Sequence, residues 1–217
     1  MTRAELLELL ADRIQSIVLP HPVRVAIDGV DGAGKTTLAN ELVAPLQRRG
    51  LPVIRGSIDG FHNPRHVRYR RGRGSPEGYF RDSFDHDAVV VNLLSPLGPD
   101  GSRRYRHAVF NYRTDSAVNV PIETAAHDAV LVFDGVFLHR PELRRHWDFS
   151  IFLDAPFEVT IGRCAGRDGS SPDVHAPENQ RYVEGQRLYF LECDPAGLAS
   201  MVIRNSDLLT PEIVRGG

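Results

Sequence analysis

Lysine is almost absent from this chain: Lys35 is the only lysine among 26 lysine and arginine residues. This scarcity excludes a guanine-specific nucleotide switch, because that class requires a further lysine in an Asn-Lys-x-Asp motif. Cysteine is scarce as well. The two cysteines, Cys164 and Cys193, suit a reducing compartment and do not have the spacing of metal ligands.

Long apolar runs and a strong net charge are also missing. No apolar run approaches the roughly 18 residues of a membrane span, and residues 1–10 contain acids and lack the plan of a signal peptide. The formal net charge of −2 indicates neither a nucleic-acid nor a membrane partner. We therefore expect a cytoplasmic protein with a small-molecule substrate, and the sequence leaves open whether it is a monomer or a homo-oligomer.

The apolar pattern predicts a single α/β domain over residues 1–217. Short apolar runs at 23–27, 51–57, 129–133, 148–153 and 199–203 predict strands. Helices are predicted at 35–48, 85–94, 156–168 and from residue 177, and a first helix beginning near Thr2 is expected to pack on the sheet edge. Strands that alternate with helices favour a parallel, doubly wound sheet. Two further strands, at 104–110 and 116–120, predict a small antiparallel excursion.

The segment Gly-Val-Asp-Gly-Ala-Gly-Lys-Thr at 29–36 fits G-x-x-x-x-G-K-[ST] and lies between a predicted strand and a predicted helix. In such a phosphate-binding loop, successive backbone N–H groups and the helix N-terminus create an anion site. The one lysine lies where a compact ammonium group is needed to reach phosphates. The alternative is a glycine-rich turn that binds nothing. The candidate nucleotide-binding residues are Gly29, Asp31, Gly32, Ala33, Gly34, Lys35, Thr36 and Thr37.

Two aspartates follow predicted strands, and the carboxyl ends of parallel strands are where ligands bind. Asp134 follows the run 129–133 and is expected to hold Mg²⁺ or its waters together with the Thr36 hydroxyl. Asp59 is the candidate catalytic carboxylate that takes the proton from an attacking hydroxyl. Because each aspartate precedes a glycine, both could instead be simple turn formers.

Arginines mark two further segments. Arg163 and Arg167 are four residues apart on a predicted helix and are candidate catalytic residues in a lid region, 163–190, where they could close over the transferring phosphoryl group. Surface arginines are nearly as good an explanation. The arginine-rich stretch 63–81 is interpreted as a mobile substrate loop within a substrate-binding excursion, 57–120. A nucleic-acid contact is the alternative.

The chain resembles the uridine kinase and phosphoribulokinase superfamily, which also contains bacterial pantothenate kinase. The resemblance rests on five segments in the family order, at 26–37, 57–62, 83–88, 132–138 and 151–155, together with the helix that carries Arg163. It implies a P-loop kinase fold and an ATP- and Mg²⁺-dependent phosphorylation of a hydroxyl on a small metabolite. Thymidylate kinase shares the first segment, but its expected Asp-Arg motif is absent because Asp59 is followed by Gly60.

The resemblance also implies roles for particular residues. Asp59 matches the catalytic aspartate, Asp134 an acidic position near the metal, and Arg163 and Arg167 the lid arginines; Asp85 matches an aspartate that contacts substrate hydroxyls. The candidate substrate residues are Asp59, Phe61, His62, Arg81, Asp85, Phe110, Tyr112 and Arg113.

The acceptor is less well defined by the resemblance. The tyrosine and histidine that recognise the base in uridine kinases would fall on Phe110 and Asp115, and the segment 57–81 is closer to the pantothenate kinase branch. A nucleoside is the first candidate acceptor and a pantothenate- or sugar-type molecule the alternative. A nucleotide-dependent ATPase module acting on a partner protein is a further alternative.

Overall fold

A computed structural model describes residues 1–216. Its strands are β1 (Val23–Gly29), β2 (Val53–Ser57), β3 (Arg104–Tyr105), β4 (Phe110–Asn111), β5 (Ser116–Ala117), β6 (Glu123–Thr124), β7 (Val130–Gly135), β8 (Phe149–Asp154), β9 (Met201–Arg204) and β10 (Glu212–Arg215). Its α-helices are α1 (Arg3–Gln15), α2 (Lys35–Glu41), α3 (Val43–Arg48), α4 (Arg65–Arg68), α5 (Pro76–Asp82), α6 (His86–Val89), α7 (Phe157–Asp168), α8 (Pro177–Cys193) and α9 (Pro195–Leu198).

Six of the strands form one sheet in the order β10-β9-β8-β1-β7-β2, and every neighbouring pair except β9 and β10 is parallel. Strands β1 and β7 are buried along their whole length, as their continuous apolar sequences require. The predicted parallel, doubly wound sheet is therefore confirmed. The antiparallel edge strand β10 is an addition that the sequence analysis did not include.

Alternate residues of the central strands contribute to two cores, one on each face of the sheet. Val25 and Val132 pack with apolar residues of α1 and α2, whereas Leu131 and Phe133 pack with residues of α5 and α8. Helix α1 begins with the capping box of Thr2 and Glu5. Its apolar side chains cover a face of the sheet, so the expectation that α1 packs on the sheet edge is wrong.

The predicted helix 35–48 is two helices, because the first ends at Glu41 and the second begins at Val43. Pro45 explains the break: it has no N–H to donate to Glu41, and its ring clashes with that carbonyl. The predicted helix 85–94 begins as α6 and continues to Leu94 as a wider turn, in which the Ser95 N–H donates to the Val90 carbonyl at 2.8 Å.

The antiparallel excursion exists but is smaller than expected. Strand β3 pairs with β6, and β4 pairs with β5, through two residues each. About half of the arginine-rich stretch is helical, as α4 and most of α5, and α5 packs against α8. None of the helices among residues 1–216 combines the length and the apolar character that crossing a membrane requires.

Candidate active site

The carboxyl ends of β1, β2 and β7 open into one cleft of about 1040 Å³, which we call the central cleft. Phosphate-binding-loop residues line one part of it, and Asp59 and Asp134 line the part next to the loop. The parallel sheet thus brings together the three strand ends that the sequence analysis selected.

The phosphate-binding loop takes a backbone path that its glycines permit. Gly32 and Gly34 have φ angles of 77° and 95°. A Cβ atom at Gly32 would lie 2.3 Å from the carbonyl oxygen of Thr160, and one at Gly34 would lie 2.8 Å from Asn205 Nδ2. Asn205 Nδ2 also donates to the Ala33 carbonyl at 2.7 Å. The loop is therefore held from behind and remains open toward the central cleft.

Two side chains at the start of α2 have the partners expected of a nucleotide site. Lys35 Nζ donates to the Val30 carbonyl at 2.7 Å, which holds the ammonium group over the loop. Thr36 Oγ1 donates to Asp134 Oδ2 at 2.6 Å, and Arg55 Nη2 donates to Asp134 Oδ1 at 2.7 Å. Asp134 is only 2% exposed. A buried carboxylate needs a partner of opposite charge, and Arg55 provides it.

The donor set of Thr36 and Asp134 fits Mg²⁺. The Thr36 hydroxyl gives its hydrogen to Asp134 and keeps its oxygen lone pairs free, and hard oxygen ligands are those that Mg²⁺ prefers. Within residues 1–216, no group of three His, Cys, Asp or Glu side chains could hold a metal. Mg²⁺ commonly binds through one or two carboxylates and substrate phosphates, so two protein groups suffice.

Asp59 lies in the one-turn helix Ile58–Phe61 that follows β2, and its N–H donates to the Ser57 hydroxyl at 3.3 Å. Its carboxylate faces the central cleft. Burial in the cleft raises the pKa of Asp59, and the carboxylates of Asp31 and Asp134 raise it further, while Lys35 and, when it is protonated, His62 lower it. Asp59 is thus a somewhat stronger proton acceptor than an ordinary aspartate.

An aromatic wall continues the central cleft beyond Asp59. The His62 ring lies 4.6 Å from the Phe84 ring and 4.7 Å from the Tyr112 ring, measured between centroids. Arg113 follows Tyr112 and also lines the cleft. Burial lowers the pKa of His62, so its ring is neutral near pH 7. We call this wall, with Asp59, the acceptor end of the cleft.

Four of the eight predicted substrate residues line the central cleft: Asp59, His62, Tyr112 and Arg113. The other four, Phe61, Arg81, Asp85 and Phe110, are not brought to it. Phe61 is fully buried in the core, and Arg81 pairs with Glu192 at 2.6 Å. The Asp85 carboxylate accepts a hydrogen bond from the Ala88 N–H at the start of α6, and Phe110 lies in β4 opposite Ala117 of β5. These four residues thus do not line the central cleft.

The two predicted lid arginines both line the cleft but differ in their contacts. Arg163 donates to the carbonyls of Gly32 at 3.3 Å, Asn205 at 3.0 Å and Ser206 at 2.8 Å, and burial lowers its pKa. Arg167 is exposed and pairs with Asp168 at 3.3 Å. Arg163 therefore binds the backbone around the phosphate-binding loop, and Arg167 is the more exposed cation.

The arginine-rich stretch is folded through ion pairs, which corrects its interpretation as a mobile loop. Arg70 and Arg71 both bind the carboxylate of Asp82, which is 2% exposed. Arg68 binds Asp115 at 3.1 Å. These arginines therefore have ion-pair partners within the protein.

The sequence analysis missed residues that support the site from neighbouring elements. Asp31 Oδ2 accepts hydrogen bonds from Tyr79 of α5 at 2.6 Å and from Gln186 of α8 at 2.9 Å. Arg55, the partner of Asp134, was also missed. It is the one charged residue of β2, and a charge inside a strand was the available signal. Tyr79 and Gln186 carried no such signal, because only the packing of α5 on α8 brings them to the loop.

Comparisons with known proteins agree with this architecture. The model of the phosphoribulokinase / uridine kinase family matches residues 24–171. Uridine-cytidine kinase B of Dictyostelium discoideum is 26% identical over 149 residues, which cover 68% of this chain and 59% of that protein. Uridine kinase of Brevibacillus brevis is 21% identical over 79% of this chain and 80% of its own length. The structure of a possible uridine kinase from Bacillus stearothermophilus superposes with a TM-score of 0.72 at 23% identity, covering 92% of this chain and 97% of that one.

Proposed function

The chain belongs to the phosphoribulokinase / uridine kinase family of small-molecule kinases, and we propose that it transfers the γ-phosphoryl group of ATP to a hydroxyl group of a small metabolite. One observation carries this proposal. The phosphate-binding loop, the Thr36–Asp134 pair and the Asp59 carboxylate all face the same cleft, each from a different strand end.

The loop supplies the positioning that phosphoryl transfer needs most. Its N–H groups and the N-terminus of α2 would bind the β- and γ-phosphates, and Lys35 would exchange the Val30 carbonyl for phosphate oxygens. Arg167, which lines the cleft, would neutralise charge on the transferring group, while Arg163 would hold the loop through its carbonyl groups. Tight closure of such groups excludes water that would otherwise hydrolyse ATP.

Mg²⁺ would be held by Thr36, with Asp134 binding its waters, and when bound it neutralises charge on the phosphates. Asp59 would accept the proton of the acceptor hydroxyl as the oxygen attacks phosphorus. A strong base is not required for this step, since the hydroxyl loses its proton as the new P–O bond forms. Burial in the cleft and the nearby carboxylates raise the pKa of Asp59, which makes it a better acceptor for the hydroxyl proton.

We propose two candidate classes of phosphate acceptor. The names of the relatives make a nucleoside the first candidate. A pantothenate- or sugar-type acceptor is the second, and Asp115 favours it. At the position expected for base recognition, Asp115 accepts hydrogen bonds from the backbone N–H of Arg65 at 2.9 Å and from Arg68 at 3.1 Å. Its carboxylate is therefore already used within the protein.

An ADP-release assay tests the proposal. The protein is incubated with Mg-ATP and, separately, with uridine, cytidine, pantothenate, sugars and sugar phosphates, and mass spectrometry identifies the product. We expect ADP release that depends on one class of acceptor and a product heavier by one phosphoryl group. Release that ignores the acceptor would favour an ATPase module. Failure of every acceptor, combined with salt-sensitive binding to generic RNA, would favour the nucleic-acid alternative.

A further inference from the structure

The acceptor end of the cleft contains an exposed cation, Arg113, that forms no ion pair with a carboxylate in the part of the chain that the structure describes. Arg113 lies in the turn between β4 and β5 and lines the central cleft. Its Nε is 3.4 Å from the Tyr112 hydroxyl, and its guanidinium carbon lies 5.8 Å from the centre of the Tyr112 ring. Over the residues that the structure describes, no carboxylate lies within 4.0 Å of its guanidinium nitrogens.

Other arginines of the same excursion differ from Arg113 in this respect. Arg65 and Arg68 share the carboxylate of Asp115, which lies only two residues after Arg113. Arg70 and Arg71 share Asp82. The nearest acid in sequence is thus committed to other arginines, and the Arg113 cation is left facing the cleft.

Beside this cation, His62 offers a hydrogen-bond acceptor. His62 Nδ1 lies 3.1 Å from the backbone carbonyl of Asp59. A carbonyl can only accept, so in the neutral ring Nδ1 carries the hydrogen and Nε2 has the lone pair. The low pKa of His62 keeps the ring in this form. The wall therefore presents a neutral acceptor for a hydroxyl group and a cation for an anionic group.

We propose that the phosphate acceptor is a small hydroxylated anion whose carboxylate or phosphate group binds Arg113 while one of its hydroxyl groups faces Asp59. This inference rests on the proposed kinase function and narrows its substrate class. The planar guanidinium group binds a carboxylate or a phosphate through two parallel hydrogen bonds. Asp31, Asp59 and Asp134 all repel an anion from the rest of the cleft. The other cations that line the cleft, Lys35, Arg163 and Arg167, lie around the phosphate-binding loop and would face ATP, so at the acceptor end an anionic group meets Arg113.

Matched acceptors that differ in charge test this assignment. The pairs are glycerate with glycerol, gluconate with sorbitol, and ribose 5-phosphate with ribose, with uridine as a neutral nucleoside. The first two pairs probe a carboxylate and the third a phosphate. With Mg-ATP constant, we expect the anionic member of at least one pair to have a kcat/KM about tenfold or more above that of its neutral partner.

Variants of Arg113 assign that preference to its charge. Arg113→Met should raise the KM for the anionic acceptor by about 10- to 100-fold and leave the KM for ATP within about threefold. Arg113→Lys should recover part of the loss, because it retains the charge without the planar fork. Arg144→Met removes an exposed arginine outside the cleft and should change neither constant. A thermal melt of each variant establishes that it is folded.

The outcomes separate this inference from the function on which it rests. Efficient phosphorylation of uridine or of the neutral member of every pair would overturn the anionic acceptor and leave the kinase assignment intact. An anionic preference that Arg113→Met does not reduce would also overturn it. If no acceptor supported ADP release, the kinase proposal would fail and this one with it.

Discussion

The two ends of the central cleft are built in different ways. The phosphate-binding loop is held by backbone geometry and by Asn205 and Arg163, which bind its carbonyl groups. The acceptor end consists of side chains on a one-turn helix and on a turn between two-residue strands. ATP is the same in every kinase, so a backbone site suits it. Acceptors differ between kinases, and side chains on short elements can be exchanged without disturbing the sheet.

The buried support under the loop strengthens this contrast. Asp28, fully buried at the end of β1, accepts hydrogen bonds from the Gly29 N–H at 2.7 Å, from His139 Nδ1 at 2.7 Å and from the Tyr189 hydroxyl. The acceptor end is held by more exposed contacts: the Arg113 N–H donates to Asn111 Oδ1 at 3.0 Å, and Arg65 donates to the Arg113 carbonyl at 3.4 Å. Substitutions at the loop end should therefore affect every acceptor equally, and those at the acceptor end should change selectivity.

Loss of the lysine is the most severe test of the loop end. Lys35→Ala should reduce kcat/KM about 1000-fold or more for every acceptor, because the phosphates lose their closest positive charge. Circular dichroism and the melting temperature should change little, since Lys35 makes one hydrogen bond in the structure. Lys35→Arg is the matched variant, and we expect it to remain inactive because a guanidinium group is too large for the loop. An active Lys35→Ala protein would disprove the role of the lysine.

Asp59 stands where the two ends meet, so its loss should reduce turnover without weakening nucleotide binding. Asp59→Asn should lower kcat by about 100-fold or more and leave the Kd for ATP nearly constant. In the unmodified protein, kcat should fall as the pH is lowered through the raised pKa of Asp59, because protonation removes the proton acceptor. Steady-state kinetics across pH, with ATP binding measured by calorimetry, provide both values. Turnover near that of the unmodified protein would make Asp59 a turn residue only.

Tyr189 tests the support under the loop end. Tyr189→Phe removes a hydroxyl that donates to the buried Asp28 carboxylate and accepts from the His139 N–H at 2.8 Å. Leaving a buried charge with one partner fewer should cost about 3 kcal/mol of the free energy of unfolding. Urea denaturation measures this loss. The exposed Tyr182→Phe substitution is the control, and equal stabilities of the two variants would show that the network contributes nothing.

The sequence could predict the loop end far better than the acceptor end. Residues 29–36 form a contiguous motif, and Asp59 and Asp134 follow apolar strands, so local pattern and sheet topology place them in one cleft. Phe61, by contrast, was placed in the substrate site through its neighbours in a motif, yet its ring faces the core. In a tight helix with about three residues per turn, Asp59 and Phe61 point to different sides, and sequence proximity does not reveal which one faces the cleft.

Long-range contacts explain the remaining omissions. His139 and Tyr189 lie 111 and 161 residues from Asp28 along the chain, and only the packing of α8 on the sheet joins them. Asp115 was expected at a recognition position because of its place in the sequence. Its ion pair with Arg68 depends on how α4 packs against the β4–β5 turn, which no local pattern records. The break before Val43 was predictable, because Pro45 is visible in the sequence.

The smallest expected effect is a loss of folding stability in acid that arises near the acceptor end. His86, at the start of α6 and two residues after Phe84 of the acceptor end, is 9% exposed, and burial followed by the charge of Arg140 lowers its pKa to about 4. The unfolded chain has an ordinary histidine pKa near 6.5, so it binds the proton between these values while the folded protein does not. Stability is therefore full above pH 6.5 and is lost as the pH falls toward 4.

From pH 7.5 to pH 5, this one group should remove about 2 kcal/mol from the free energy of unfolding. His86→Leu, which does not titrate, should lose that much less stability over the same interval in urea denaturation. His127→Leu is the matched control, because His127 is exposed and should leave the pH dependence of the unmodified protein in place. If both variants lost stability as the unmodified protein does, the acid sensitivity would arise from groups other than His86, and the acceptor end would owe none of it to this histidine.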